Sequence, residues 1–244
     1  MSMDAGLRIV PDGRLKDGSV YCVGRNYVDH IKELPNLLGI PSELPTVPMI
    51  FLKSPGCIQR DTPTITLPCW SANVQHEVEL AVQLGPDLAP IAAAVAIDLT
   101  ARDTQADAKR QGLPWTLAKS FAGACPMGSE FTLRGVDLQD LELSVEVNGK
   151  VRQRASTSLQ IFPVAQVVAY LKQHFPVQPG DWVLTGTPEG VGPLVPGDRV
   201  TATLQQPGGG DGGGGRVLST ASWTAVAGPE VDADAWRAAG GTGR

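Results

Sequence analysis

Glu77 and Glu79 stand two residues apart in the segment HEVELAVQL, and Asp98 closes the small apolar run AAAVAI. On a strand, residues i and i+2 face the same way, about 6.5 Å apart along the chain. The two glutamates therefore share one face with Ala81, while Val78, Leu80 and Val82 take the other. In an antiparallel sheet such a polar face can simply be solvated. Asp98 argues for something else, because a carboxylate at the end of a buried strand is costly unless it is paired or coordinated. Three converging carboxylates repel one another, and a divalent cation relieves the repulsion. All-oxygen ligation without a cysteine favours Mg²⁺, with Mn²⁺ as the alternative, over Zn²⁺. Between Glu79 and Asp98 there is room for one strand, a connection and a neighbouring strand.

A second constellation lies upstream. His30 and Glu33 are three residues apart and share the face of a helical turn. A glutamate beside a histidine orients the ring and stabilises its charged form, which gives a base suited to neutral pH. The same spacing also fits a plain solvent-exposed pair. Lys119, a lone charge in TLAKSF, reads as a buried lysine paired with anions. His76 points to the face opposite Glu77, and His174 falls at a helix C-terminus, so neither joins the site.

The elements that must carry these groups are short. With 28 glycines and 20 prolines in 244 residues, the chain is too rich in turns for a helical bundle. Strands are expected at residues 7–10, 19–23, 76–84 and near 92–98, with a buried one at 49–54. A helix from Tyr27 to about Leu34 is expected to end at Pro35, and the proline-rich stretch 35–48 reads as a loop. The segment TQADAKRQG predicts a short helix stopped by Gly112 and Pro114. LELSVEVNGKVRQRAST at 141–157 predicts a hairpin turning at Asn148-Gly149, and 163–175 is the strongest helix signal. DWVLTGTPEGVGP reads as a strand entering a glycine-rich turn, and two further strands flank QQPGGGDGGGG. Many strands with few helices make the fold mainly β or α+β. One domain is expected over 19–228, with an N-terminal segment 1–18, a flexible glycine-rich loop 207–215 and a tail 229–244.

The formal charge of −5 argues against a general binder of nucleic acid or anionic membranes. No run approaches 18 apolar residues. The start lacks the basic and apolar segments of a signal peptide, and the four cysteines show no CxxC spacing. The expectation is a cytoplasmic protein with reduced thiols.

Five segments, GRNYVDHIKEL at 24–34, HEVEL at 76–80, IDLTARDTQ at 97–105, GLPWTLAKSF at 112–121 and LTGTPEGVGP at 184–193, together resemble the fumarylacetoacetate hydrolase family. The likeness is greatest to its small acylpyruvate hydrolases, oxaloacetate decarboxylases and homoprotocatechuate-pathway isomerase/decarboxylases, and runs from about residue 20 to 203. The resemblance implies a mixed β-roll or sandwich with a few short helices, assembled as a homodimer. It makes Glu77, Glu79 and Asp98 the metal ligands and Lys119 a positive group beside metal and substrate. His30 and Glu33 become the acid–base pair on a short helix that orders over the substrate. Gln105 becomes a hydrogen-bonding partner, Thr187 a contact of the substrate carboxylate, and Arg25 and Asn26 parts of the loop at the mouth. Arg102 and Asp103 support the shell. The segment between Glu79 and Asp98 is shorter than is usual in close relatives.

The implied substrate is a small 2-oxo acid, with the cation stabilising the enolate that forms at C3. Sequence alone ranks hydrolysis of an acylpyruvate or related 2,4-dioxo acid first. Decarboxylation of oxaloacetate, isomerisation of a dienol acid such as 2-hydroxyhepta-2,4-diene-1,7-dioate, and a non-catalytic metal-binding scaffold are the alternatives.

Overall fold

The computed structural model describes residues 15–38, 43–208 and 215–230. The expected strand at 7–10, most of the glycine-rich loop and the chain beyond residue 230 lie outside them. In chain order the strands are β1 (Val20–Gly24), β2 (Met49–Lys53), β3 (Ile58–Gln59), β4 (Thr64–Leu67), β5 (Val74–His76), β6 (Val78–Leu84), β7 (Pro90–Ile97), β8 (Thr100–Ala101), β9 (Cys125–Pro126), β10 (Phe131–Thr132), β11 (Glu142–Val147), β12 (Lys150–Ser156), β13 (Trp182–Leu184), β14 (Gly192–Pro193), β15 (Arg199–Gln206) and β16 (Arg216–Ala227). The helices are α1 (Val28–Leu38), α2 (Arg102–Gln111), α3 (Thr116–Lys119) and α4 (Val164–His174).

A six-stranded sheet runs in the order β10-β7-β6-β13-β1-β2, and a five-stranded sheet in the order β12-β11-β15-β16-β4. In the first, β1 and β13 are parallel and the other pairs antiparallel. Strand β6 meets β11, and β7 meets both β15 and β16. The core formed there includes Val78, Leu80 and Val82 with Leu143, Val145, Val200 and Ala202, all fully buried. This is the mixed β, α+β architecture expected from the sequence.

The β6–β7 hairpin positions the acidic residues. Its five-residue connection is tied by Gly85 N donating to Ala89 O at 2.8 Å, and the ladder pairs Val78 with Ile97 and Glu79 with Ala96. That register continues one step further, because Asp98 N donates to Glu77 O at 2.8 Å. Residues directly opposite in an antiparallel ladder share a face, so Glu77, Glu79 and Asp98 are brought to one side by pairing alone. The short connection before β7 is thus sufficient to close the hairpin.

Two expectations need correction. Helix α1 does not stop at Pro35 but runs to Leu38; a proline removes one i→i−4 bond without preventing the chain on either side from staying helical. Strand β2 is not a buried strand: among the described residues it pairs only with β1 at the end of its sheet, and Leu52 is 48% exposed. Among the described residues no helix is long and apolar enough to cross a membrane. All four cysteines are free, with Cys22, Cys57 and Cys125 buried.

Candidate active site

The acidic face is not solvated: every residue of β6 is buried, and Glu77, Glu79 and Asp98 are 5%, 2% and 0% exposed. One oxygen from each lies within 4.8 Å of the others. They open into a cavity of about 350 Å³ lined also by Arg25, His30, Met49, Phe51, Arg102, Gln105, Lys109, Trp115, Lys119 and Thr187. That volume suits a small organic acid.

Basic residues gather behind the carboxylates. Lys119 Nζ donates to Glu77 Oε2 at 2.7 Å, Asp98 Oδ2 at 2.6 Å and Thr100 Oγ1 at 2.6 Å. Lys53, 1% exposed, places Nζ 2.7 Å from Asp98 Oδ1 and donates to the carbonyls of Leu99 and Lys119. Arg102 is fully engaged, with Nε on Gln75 Oε1 at 2.9 Å, Nη1 on Gln105 Oε1 at 2.8 Å and Nη2 on Glu77 Oε1.

Three cations match three carboxylates in number but not in position. Glu79 accepts one hydrogen bond, from Gly186 N at 2.5 Å, and among the described residues no cation pairs with it. Burial, reinforced by Asp98 and Glu77, pushes its carboxyl well above the ordinary carboxylate range. Glu77 goes the other way: burial opposes its charge, but Lys119 and Arg102 hold it well below that range. The donor set is hard oxygen, crowded, and short of positive charge at one corner. These residues fit a divalent cation of the Mg²⁺ or Mn²⁺ type.

Helix α1 places His30 in the cavity wall, 6% exposed. Its Nδ1 lies 3.6 Å from Glu33 Oε2 and has no hydrogen-bond partner. Glu33 is held from behind by Gly190 N, which donates to Oε1 at 2.6 Å. The TGTPEG segment thus serves the site through two glycine amides. Gly186 has φ +99° and a Cβ there would stand 2.6 Å from Asn26 Cβ; at Gly190, φ +93°, it would stand 2.0 Å from Arg152 O. Only glycine fits both positions.

The remaining expected residues divide. Arg25, at φ 60°, Gln105 and Thr187 line the cavity, and Thr187 Oγ1 accepts from Gln153 Nε2 at 2.8 Å. Asn26 does not line it. Its Nδ2 donates to Phe162 O and Thr185 O at 3.0 and 2.7 Å while its Oδ1 accepts from Phe162 N at 2.8 Å, so its amide is consumed in tying the mouth loop to the sheet. Asp103 sits outside the cavity and anchors the start of α2, accepting from Ser71 Oγ at 2.7 Å and from the amides of Ala72 and Thr104 at 2.8 Å each. Lys53, Lys109, Gly186 and Gly190 were absent from the expected set. Lys53 carried the signal that marks Lys119, a single charge in the apolar run MIFLKS.

The model for the family described as "Fumarylacetoacetate (FAA) hydrolase C-terminal" matches residues 19–211. The chain belongs to the fumarylacetoacetate hydrolase family. It is 39% identical over 200 residues to an oxaloacetate tautomerase of Escherichia coli, covering 76% of this chain and 87% of the relative. It is 36% identical over 197 residues to the mitochondrial oxaloacetate tautomerase of Bos taurus, covering 76% and 86%. Among solved structures, the fumarylpyruvate hydrolase of Pseudomonas aeruginosa in complex with Mn²⁺ and pyruvate superposes with a TM-score of 0.75 at 30% identity, covering 90% of this chain and 94% of that one.

Proposed function

We propose that this protein is a divalent-metal-dependent enzyme that interconverts the enol and keto forms of an oxaloacetate-like 2-oxo acid. The observation that carries the reading is Glu79: a buried carboxylate with no partner cation among the described residues, clustered with Glu77 and Asp98 in the cavity that also holds His30. Sequence alone ranks acylpyruvate hydrolysis first, but the oxaloacetate tautomerases among the relatives favour oxaloacetate chemistry. The Mn²⁺ and pyruvate of the Pseudomonas aeruginosa enzyme support a metal and a 2-oxo acid in this pocket.

Glu77, Glu79 and Asp98 would hold the cation, which when bound supplies Lewis-acid stabilisation of negative charge on the 2-oxo oxygen. His30 takes a proton from C3 of the keto acid on the ring nitrogen turned away from Glu33 and returns it to the 2-oxo oxygen, giving the enol. The reverse transfer regenerates the ketone, so no atom is gained or lost. Glu33, held by Gly190, stabilises the imidazolium between the two transfers. Lys119 holds Glu77 and Asp98 in place, and Lys53 holds Asp98, rather than touching substrate. Phe51, Trp115 and Met49 limit the water around the reacting carbon.

The test is the decay of enol-oxaloacetate followed by ultraviolet absorbance, with CO₂ release measured in parallel and acetylpyruvate cleavage as a third arm. Each arm is run with Mg²⁺, Mn²⁺ and EDTA against a protein-free metal blank. Accelerated enol decay that EDTA abolishes, at a rate above CO₂ release and acetylpyruvate cleavage, supports the proposal. Faster CO₂ release makes the protein a decarboxylase, and faster acetylpyruvate cleavage a hydrolase.

A further inference from the structure

Helix α2 carries Arg102, Gln105 and Lys109 into the same cavity, at the i, i+3 and i+7 positions of one helical face. With a rise of about 1.5 Å per residue, Lys109 stands roughly 10 Å along the axis from Arg102. Arg102 touches Glu77, so this face leads from the carboxylate cluster towards the far end of the pocket. The cations along it are not equivalent. Arg102 is spent on Gln75, Gln105 and Glu77, and Lys119 on Glu77, Asp98 and Thr100. Arg25 donates to the carbonyl of Glu43 at the mouth. Lys109 is half-buried, and among the described residues no carboxylate pairs with it. Its Nζ lies 4.5 Å from the centre of the Trp115 ring, an arrangement that steadies an ammonium without neutralising it.

We propose that Lys109 receives the second carboxylate of a dicarboxylic 2-oxo acid and so sets a preference for dicarboxylates over pyruvate-like monocarboxylates. The assignment rests on the 2-oxo acid reading of the pocket and adds a specificity determinant to it. An acid anchored at the triad extends along α2 and meets this ammonium after Gln105. A charge-assisted bond there also keeps the distal carboxylate anionic and held. Loss of CO₂ requires that carboxylate to give up its charge, so the contact favours proton transfer over decarboxylation.

Calorimetric binding to the Mg²⁺-loaded protein tests this with pyruvate, 2-oxoglutarate and 2-oxoadipate as probes. The wild type should bind at least one of the two dicarboxylates about tenfold tighter than pyruvate, the advantage of one charge-assisted contact. Lys109→Met and Lys109→Gln should each bring the ratio of dissociation constants close to one. A wild type with no preference overturns the assignment whether or not the variants fold, and a preference that survives both substitutions overturns it too. Pyruvate binding without a dicarboxylate advantage removes Lys109 alone. Failure of the wild type to bind any of the three acids removes the 2-oxo acid reading and this assignment with it.

Discussion

Glu77 and Asp98 face each other at the open end of the β6–β7 ladder: the Asp98 amide donates to the Glu77 carbonyl at 2.8 Å, and Lys119 Nζ spans their carboxylates at 2.7 and 2.6 Å. Backbone pairing sets where the two acids stand, and one ammonium sets how close their side chains come. Glu79, one pleat back on the same face, is left outside this arrangement with a single amide donor. The position left open beside Glu79 is one that a divalent cation could fill.

Lys53 should be as necessary to the fold as to the site. Burial works against its charge, but Asp98 raises its pKa above the ordinary value, so it stays protonated. In Lys53→Met, Asp98 Oδ1 loses its partner. Breaking a buried pair costs about 3–5 kcal/mol, or roughly 6–20 °C in Tm for a domain of this size. Saturating Mg²⁺ should recover part of the loss by supplying positive charge at the cluster. A calorimetric scan with and without Mg²⁺ checks both halves, and a variant that melts with the wild type contradicts the pairing.

His30 and Glu79 should separate chemistry from ion binding. His30→Ala should lower kcat for enol-oxaloacetate by roughly 10²–10⁴-fold while leaving Mn²⁺ affinity close to wild type. Glu79→Gln should weaken Mn²⁺ binding itself, and excess metal should return part of the rate. Steady-state kinetics across a metal titration, with Mn²⁺ affinity from paramagnetic resonance, distinguish the two. Wild-type turnover by His30→Ala at saturating metal would remove the histidine from the proton path.

Lys109 gives the pocket a pH dependence of defined sign. Burial, with Arg102 and Lys119 nearby, brings its pKa down to about 8, against an opposing pull from Glu77 and a further push from Arg25. The ammonium is present below that value and lost above it. The affinity advantage of 2-oxoglutarate over pyruvate should accordingly decline as the pH rises past about 8. Taking the ratio of the two acids cancels titrations common to both, and a bound carboxylate shifts the decline upward by favouring the charged form. Calorimetry on either side of this pH should show the decline in wild type and none in Lys109→Met. A ratio flat with pH in the wild type would count against it.

What could be read from the chain and what could not divides along physical lines. The Glu-x-Glu pair, Asp98 at its strand end and the Asn148-Gly149 hairpin follow from strand periodicity and turn chemistry, and all three stand where expected. Lys53 carries the same local signal as Lys119, yet its contact with Asp98 depends on β2 lying across the sheet, which no local spacing encodes. Gly186 and Gly190 act through backbone amides, so side-chain chemistry does not advertise them. Asn26 follows Arg25 in one motif, but the chain turns at Arg25 and sends the next side chain into the scaffold. Pro35 shows the reverse error: a local breaker did not end α1.

Where a divalent ion binds decides whether Glu77, Glu79 and Asp98 form a metal centre. Crystals grown with Mn²⁺ and oxalate, with data collected on either side of the manganese absorption edge, locate the metal without reference to any assumed role. One strong anomalous peak is expected within coordination distance of Glu77, Glu79 and Asp98, with oxalate oxygens on its cavity side and a weaker peak in Glu79→Gln at the same subsaturating Mn²⁺. An ordered carboxylate cluster with no anomalous peak at saturating Mn²⁺, or manganese bound only elsewhere, would contradict it.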